Sequence, residues 1–385
     1  MRRKVILTNT ALAVVLSGVL GLSVRAAINP ADIEMSVGKV QLVTAGALAF
    51  GPPGILFVGD SVGASLVAID TGDTKAAPAP VKINVDGLDV KIAAMVGIAP
   101  DQLVINDVIV NPLSKNVYVS ASRGRGPDAM PLIVQVDGSG KITPLSLDKA
   151  KHISLSLVDA PDLKSTLPDG KGGQLPARMQ TITSIAYVDG NVMVAGLSNE
   201  EWSSALRSIP YPFKNASPGT TLQIWHSPHG RYETESPVRT FVPYTIGGKQ
   251  YILAAYTCTP LAIIPVSDLK PGAKVKGMVI ADLGIRNIPL DMIPYAKDGH
   301  DYILIANTLL GVLKLKADNL ENYPAISEPT RIEVAGVPYD TISDLTSVQH
   351  LAQLDDAHVL VVTGKRGPNA GQAVGPITLA TVDLP

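Results

Sequence analysis

The sequence predicts an all-β chain folded as a β-propeller of six four-stranded blades, and three observations carry that expectation. Short runs of Val, Ile, Leu and Tyr closed by turn residues recur along the chain, whereas long amphipathic helical patterns are nearly absent beyond residue 26. A unit reading strand, tight turn, very apolar strand, loop, strand repeats six times, its second strands centred on Phe57, Tyr118, Met193, Leu253, Leu304 and Leu360. These centres lie 51 to 75 residues apart, a spacing that suits a radial repeat of one small sheet per unit.

The units start at Ala47, Asp107, Ser184, Thr240, Asp291 and His350. Their first and second strands are joined by "GPPG", "PLSK", "VDG", "IGGK", "KDGH" and "LDDA", which carry the Gly, Pro, Ser and Asp chemistry of tight turns. Fourth strands follow the third ones, as in "KITPLSL" from 141 and "RYETES" from 231. The last unit runs out at "ITLATVDLP", while a spare strand, "KVQLVTAG" from 39, precedes the first unit. The ring is therefore expected to close by the N-terminal strand joining the last blade, which removes open sheet edges. A seventh blade within 145–180 or 317–345 is the alternative.

The opening "MRRKVILTNTALAVVLSGVLGLSVRAA" has a basic start, an apolar stretch from Ala11 to Val24 and small residues at its end. It reads as a signal peptide, residues 1–26, cleaved after Ala26, ahead of a single propeller domain over 27–385 in the periplasm or outside the cell. Cleavage removes Arg2, Arg3, Lys4 and Arg25, which leaves 28 basic against 34 acidic residues. A mildly acidic chain without a nucleic-acid signature argues against nucleic-acid binding. No second apolar run is long enough to span a membrane. Cys258 is the single cysteine, so an intramolecular disulfide, a haem-attachment C-x-x-C-H and a cysteine-rich zinc site are all excluded.

In an up-and-down blade, the loops between second and third strands share one face with the blade-to-blade crossings. "SRGRGPDAMP", "SNEEWSSALRSIPYPFKNASPG" and "GKRGPNAGQAVGP" fall on that face, with crossings near 86–105, 148–182, 281–290 and 328–348. Long loops on a rigid scaffold are where binding usually sits. Arg123, Arg125, Arg178, Arg207, Arg239, Arg286, Arg331 and Arg366 fall there too, and arginine suits bidentate recognition of carboxylate or phosphate. Acids such as Asp128 and Glu200 share the face, so loop-stiffening ion pairs are the competing explanation. In the segment 199–213, Trp202, Ile209, Tyr211 and Phe213 concentrate apolar and aromatic groups in a chain with few aromatics. That segment is read as a lid or docking loop, with Trp202 joining Arg123, Arg125, Arg178, Arg239, Arg286 and Arg366 as ligand-binding candidates.

First strands line the central channel, and their entrances carry Asn106-Asp107, Thr183-Ser184, Arg239-Thr240, Asp291 and Gln349-His350. Asp107, Asp291 and His350 are the candidate catalytic groups, since paired carboxylates and an imidazole serve acid–base chemistry. His152, Cys258 and His350 are the only nitrogen and sulfur set near this face, but no H-x-H, H-x-x-x-H or C-x-x-C spacing supports a metal. His226 and His229 form H-x-x-H in "WHSPHG", read as a third-to-fourth turn on the opposite face. No G-x-S-x-G marks a serine nucleophile, and no cofactor is indicated.

The turn-rich repeats "NPLSKNVYVSAS" and "GPPGILFVGDSVGASLVAID" resemble the exported bacterial β-propeller superfamily of YVTN and NHL repeats and of amine-dehydrogenase propeller subunits. The resemblance covers the mature chain and implies the fold, not a reaction, because that superfamily holds scaffolds, lactonases, lyases and electron-transfer subunits. Two functions are expected from the residues. One is a binding module for an anionic small molecule or protein partner at the long-loop face. The other is an enzyme at the channel mouth, a hydrolase or lactonase, a lyase or an oxidoreductase subunit.

Overall fold

The computed structural model describes residues 34–385 apart from 79, 127, 169–171, 258, 285–286, 330–333 and 368–372. The expected signal peptide lies outside the described residues. Six sheets stand around a central channel. Blade 1 opens with Leu48–Phe50, Ile55–Asp60 and Ser65–Asp70; blade 2 is Leu103–Val110, Val117–Arg123, Met130–Val136 and Ile142–Pro144. Blade 3 is Ser184–Val188, Asn191–Leu197, Ser204–Pro210 and Thr220–His226; blade 4 is Val238–Ile246, Lys249–Tyr256, Pro260–Pro265 and Met278–Leu283. Blade 5 is Pro289–Lys297, His300–Asn307, Gly311–Lys316 and Tyr339–Ile342; blade 6 opens with Val348–Gln353, His358–Arg366 and Ala373–Asp383.

Each sheet is sandwiched between two others, so both faces of its inner strands need apolar side chains. That is why Ile55–Asp60 is buried at every position and why these strands read as apolar runs instead of alternating. The core accordingly divides into six clusters, one in each junction between blades. Asp189-Gly190, Gly247-Gly248 and Asp298-Gly299 all have positive φ at both positions. These two-residue loops twist in the sense of the strands they join, which accounts for the expected hairpins of blades 3, 4 and 5.

Blade order in space departs from order in the sequence. Blade 1 packs on blade 3 through Phe57, Ile182, Ile185 and Val194, and blade 2 packs on blade 6 through Val119, Val134, Leu360 and Val362. Around the ring the blades therefore run 2, 1, 3, 4, 5, 6. The chain makes this step by returning after blade 2: Ala150–Ser156 pairs with Ser65–Asp70 as the fourth strand of blade 1 before the chain enters blade 3.

Closure differs from the expected device. The segment from 39 is not paired with the last blade; Val40 donates to the Leu147 carbonyl, and Ser36–Gly38 adds to the outer edge of blade 1 against Ala150–His152. Blade 6 takes its fourth strand from Asn84–Val85, paired with Leu379 and Ala380. That short strand runs into helix α1, Leu88–Val96, whose buried Leu88, Ile92 and Ala93 plug the junction of blades 2 and 6. Asp89 in its first turn accepts the Ile377 amide of blade 6. The buried face of α1 thus adds apolar packing to the backbone pairing that closes the ring.

Blade 3 also corrects the sequence reading. The middle of the expected 199–213 loop is its third strand, Ser204–Pro210, and the fourth is Thr220–His226, with Arg231–Glu233 returning as an extra outer strand. The turn holding His226 and His229 is therefore a fourth-to-fifth turn. Because successive strands alternate direction, it opens on the long-loop face and not on the opposite one. Arg207 is a core residue of that blade: its Nε donates to Asp159 Oδ1 at 2.8 Å, and its two other nitrogens donate to the Thr181 and Leu197 carbonyls.

Candidate functional site

Four of the inner strands carry a one-residue bulge near their entrance, at Asn106, Arg239, Leu290 and Gln349. A bulge re-aims the side chains beside it. The residues that follow are Asp107, Thr240, Asp291 and His350, at equivalent places in blades 2, 4, 5 and 6, and these four blades are contiguous in the ring. His350 Nδ1 lies 3.7 Å from Asp107 Oδ1 and 3.9 Å from Asp291 Oδ2. One ligand atom from each of the three residues falls within 4.8 Å of the others.

Backbone amides orient both carboxylates in the same way. Asp107 accepts from its own strand at Val108 and from blade 1 at Leu48; Asp291 accepts from Met292 and from blade 6 at Leu351. Each acid thus ties its blade to the next one around the ring. Asp107 and Asp291 keep 22 % and 19 % of their side-chain surface open, against 8 % for His350, so the carboxylates are the reachable groups.

Electrostatics set the three groups apart. Burial pushes the Asp107 carboxyl up to about 6, against the pull of the Leu48 and Val108 amides and the Arg239 charge. Asp291 is raised well above the usual carboxylate range by burial first and by the neighbouring Asp107 charge second. His350 is pushed down to about 4 by burial and by Arg239, so its imidazole is neutral at pH 7. Burial also lowers Arg239, which the two carboxylates offset; a guanidinium keeps its charge even so. Nε2 of His350 and Nε of Arg239 are buried and make no hydrogen bond to the described protein atoms, so each has a donor or acceptor position left for a bound molecule. Both carboxyls are thus biased toward the protonated form, Asp291 with the added push of the Asp107 charge, beside one fixed cation. Two carboxylates and an imidazole are also a ligand set for a divalent ion, but the Arg239 charge competes for the same oxygens.

The remaining candidates are dispersed. Arg123 donates to the Met130 sulfur and Arg125 to the Asp101 carbonyl, both at the exposed rim of blade 2. Arg178 sits in the 3-10 turn Ala177–Gln180 leading into blade 3, its Nε buried without a partner among the described residues. Trp202 is half-buried beneath Lys274, whose Nζ lies 5.1 Å from the ring centre and pairs with Glu201. Tyr211 and Phe213 pack edge-on against each other in the core between blades 1 and 3. His152 lies on the outer strand of blade 1, paired with Ser36, and cannot join His350 in a metal set. Arg286, Arg331, Cys258 and the side chain of Arg366 lie outside the described residues.

Sequence reasoning missed Glu233, which meets both His226 and His229. The H-x-x-H turn and the strand from 231 that follows it were both visible, but Glu233 on that strand was not joined to the two histidines.

No protein-family model and no curated protein sequence matches the chain. Solved structures that match include the PQQ-bound aldose sugar dehydrogenase of Streptomyces coelicolor, 11% identical over 91% of this chain and 99% of that one, TM-score 0.29. Another is the apo soluble aldose sugar dehydrogenase of Escherichia coli, 10% identical over 90% and 99%, TM-score 0.30. A streptogramin B lyase matches at 9% identity over 91% and 98%, TM-score 0.27. The architecture rests on the chain's own sheets, which make it a six-bladed β-propeller.

Proposed function

We propose that the channel mouth is the active site of an exported hydrolase or lyase that acts on a small molecule bearing a carboxylate or comparable oxyanion. The observation that carries this is the convergence of Asp107, Asp291 and His350 within 4.8 Å, with two carboxyls that burial raises above the usual carboxylate range. A general acid and a general base of raised pKa side by side are what proton transfer at pH 7 requires. In this reading Asp107 takes the proton, Asp291 returns one, and Arg239 holds the negative charge that develops between them. Neutral His350 sets Nδ1 beside both acids, 3.7 and 3.9 Å away, without adding a charge between them. The docking-module reading is weaker, because Arg207, Tyr211 and Phe213 from its central loop are spent on the core.

The test is turnover on a panel of lactones, sugar acids and 2-hydroxy acids, followed by proton release. Wild type is expected to turn over at least one member, with kcat lowered at least 100-fold in Asp291→Asn and in Asp107→Asn and with KM raised in Arg239→Gln. A panel on which wild type is inactive, or turnover that survives both acid replacements, counts against the proposal.

A further inference from the structure

A second cluster of chemistry-bearing groups lies away from the channel, at the outer rim of the junction between blades 3 and 4. His226 Nδ1 is 2.9 Å from Glu233 Oε2, and His229 Nδ1 is 2.5 Å from Glu233 Oε1. The imidazole centres are 4.0 Å apart, and each of the three residues offers a ligand atom within 4.8 Å of the others around one point. His226 and Glu233 are buried while His229 is half exposed. The point is therefore reached from solvent on one side only.

We propose that His226, His229 and Glu233 form a binding site for zinc or a similar first-row divalent ion. Two imidazoles and a carboxylate are a borderline N/O set that suits zinc, with a fourth, water-filled position facing solvent beside His229. Tetrahedral coordination at ~2.0–2.1 Å places ligand atoms about 3.3 Å apart, wider than the 2.9 and 2.5 Å seen here, so both imidazoles must draw back from the carboxylate to admit the ion.

The surroundings match what a metal-bound histidine needs. A ligating imidazole gives its metal one nitrogen and donates the other N–H to a polar partner that fixes the tautomer. With Nδ1 of His226 on the metal, its Nε2–H faces Thr259 Oγ1 at 3.5 Å, and that hydroxyl donates to Asp282 Oδ1 at 2.8 Å. Asp282 is fully buried, and its Oδ2 has no partner among the described residues. A relay running from a buried carboxylate through a hydroxyl to the back of His226 has no role in the channel site. It explains a costly buried acid on blade 4 as the outer support of a ligand on blade 3.

One group opposes the ion. Arg231 Nε lies 3.2 Å from Glu233 Oε1, but its side chain is 62% exposed and already shares Glu235 at 3.2 Å. It can turn to Glu235 alone when the metal enters, and its charge weakens binding until it does.

The experiment uses the full chain stripped with EDTA, then titrated with Zn²⁺ for metal content and with Co²⁺ for visible absorption. One ion per chain is expected, with an intense Co²⁺ band of four-coordinate geometry. His229→Ala removes an accessible ligand and should weaken affinity at least 100-fold, whereas Thr259→Val should weaken it 10- to 100-fold. Arg231→Gln should tighten it several-fold, an effect that loss of folding cannot imitate. Asp291→Asn should leave the affinity and stoichiometry of this metal binding unaltered, which separates the site from the channel. Absence of binding to wild type, binding indifferent to His229→Ala, weaker binding in Arg231→Gln, or binding lost with Asp291→Asn each overturns the proposal.

Discussion

Asp107 and His350 should make opposite contributions to the pH dependence of stability within the same pH window. The Asp107 carboxyl rises from 3.8 in the unfolded chain to about 6 in the fold. Between those values the native state holds a proton that the unfolded state has released, so the stability Asp107 supplies is full below pH ~4 and is lost as pH rises through 6. His350 falls from 6.5 to about 4. There the unfolded state binds the extra proton, so stability is present above pH ~6.5 and is lost as pH falls through 4. At about 1.4 kcal/mol per pH unit, each rise or fall is worth roughly 3 kcal/mol at most. The open fifth of the Asp107 side chain lets channel water relax its charge, which lowers that ceiling for the acid.

The wild-type curve alone cannot show this, because the two slopes nearly cancel. Difference curves can: Asp107→Asn and His350→Gln mimic the protonated acid and the neutral base, and neither titrates. Urea unfolding, followed through Trp202 and Trp225 from pH 4 to 7.5, gives the stabilities. Asn at 107 loses one carboxylate acceptor for the Leu48 or Val108 amide, a constant offset that does not bend with pH. Relative to wild type, Asp107→Asn should gain stability as pH rises and His350→Gln should gain as pH falls, each by about 1–3 kcal/mol across the window. Difference curves that are both flat, or that slope the same way, refute the charge assignment on which the proposed chemistry stands.

Two further outcomes follow from the packing around blade 3. Replacing Arg207 by Met leaves Asp159 charged and buried with only the Gly219 amide on its other oxygen. It should therefore cost about 3–5 kcal/mol, while the Asp159→Asn and Arg207→Met double variant should cost clearly less than the sum of the singles, measured by the same unfolding assay. Gly196→Ala should lower the yield of folded protein and its melting temperature. A Cβ there would stand 2.1 Å from the Thr181 carbonyl oxygen, which is itself an acceptor for Arg207; a melting temperature within a degree of wild type would show that the carbonyl yields freely.

The repeat was legible because blade interiors impose it: strands buried on both faces must be apolar throughout, and tight turns must use Gly, Asn, Asp and Pro. Asp107, Asp291, His350 and Arg239 could be named as channel residues because they are polar groups at the entrances of such strands. What brings them into contact was not legible. Each depends on a bulge, and a bulge is one residue of register that leaves no mark in local composition. Arg207 was misplaced for the opposite reason. A strand that sets Arg207 between Ser204 and Ser208 and runs into Pro210 and Pro212 looks like a surface loop unless Asp159, 48 residues upstream in sequence, is known to meet it. Blade order was hidden as well, since six similar units look alike whichever neighbours they choose.

Blade order is also what makes the site. In a ring filled in sequence order, blade 2 and blade 6 would be separated by blade 1, and Asp107 would face His350 across that gap. Here the chain steps back after blade 2, lays Ala150–Ser156 on blade 1 and enters blade 3 on its far side. Blade 2 is left beside blade 6, and the segment that seals their junction, Asn84–Val85 with α1, is the one that closes the ring. The seal and the acid–base cluster therefore share one cause. A change that loosens the seam, such as Leu88→Ala on α1, should open the distance between Asp107 and His350 before it disturbs Asp291, whose blade meets blade 6 in an unbroken order.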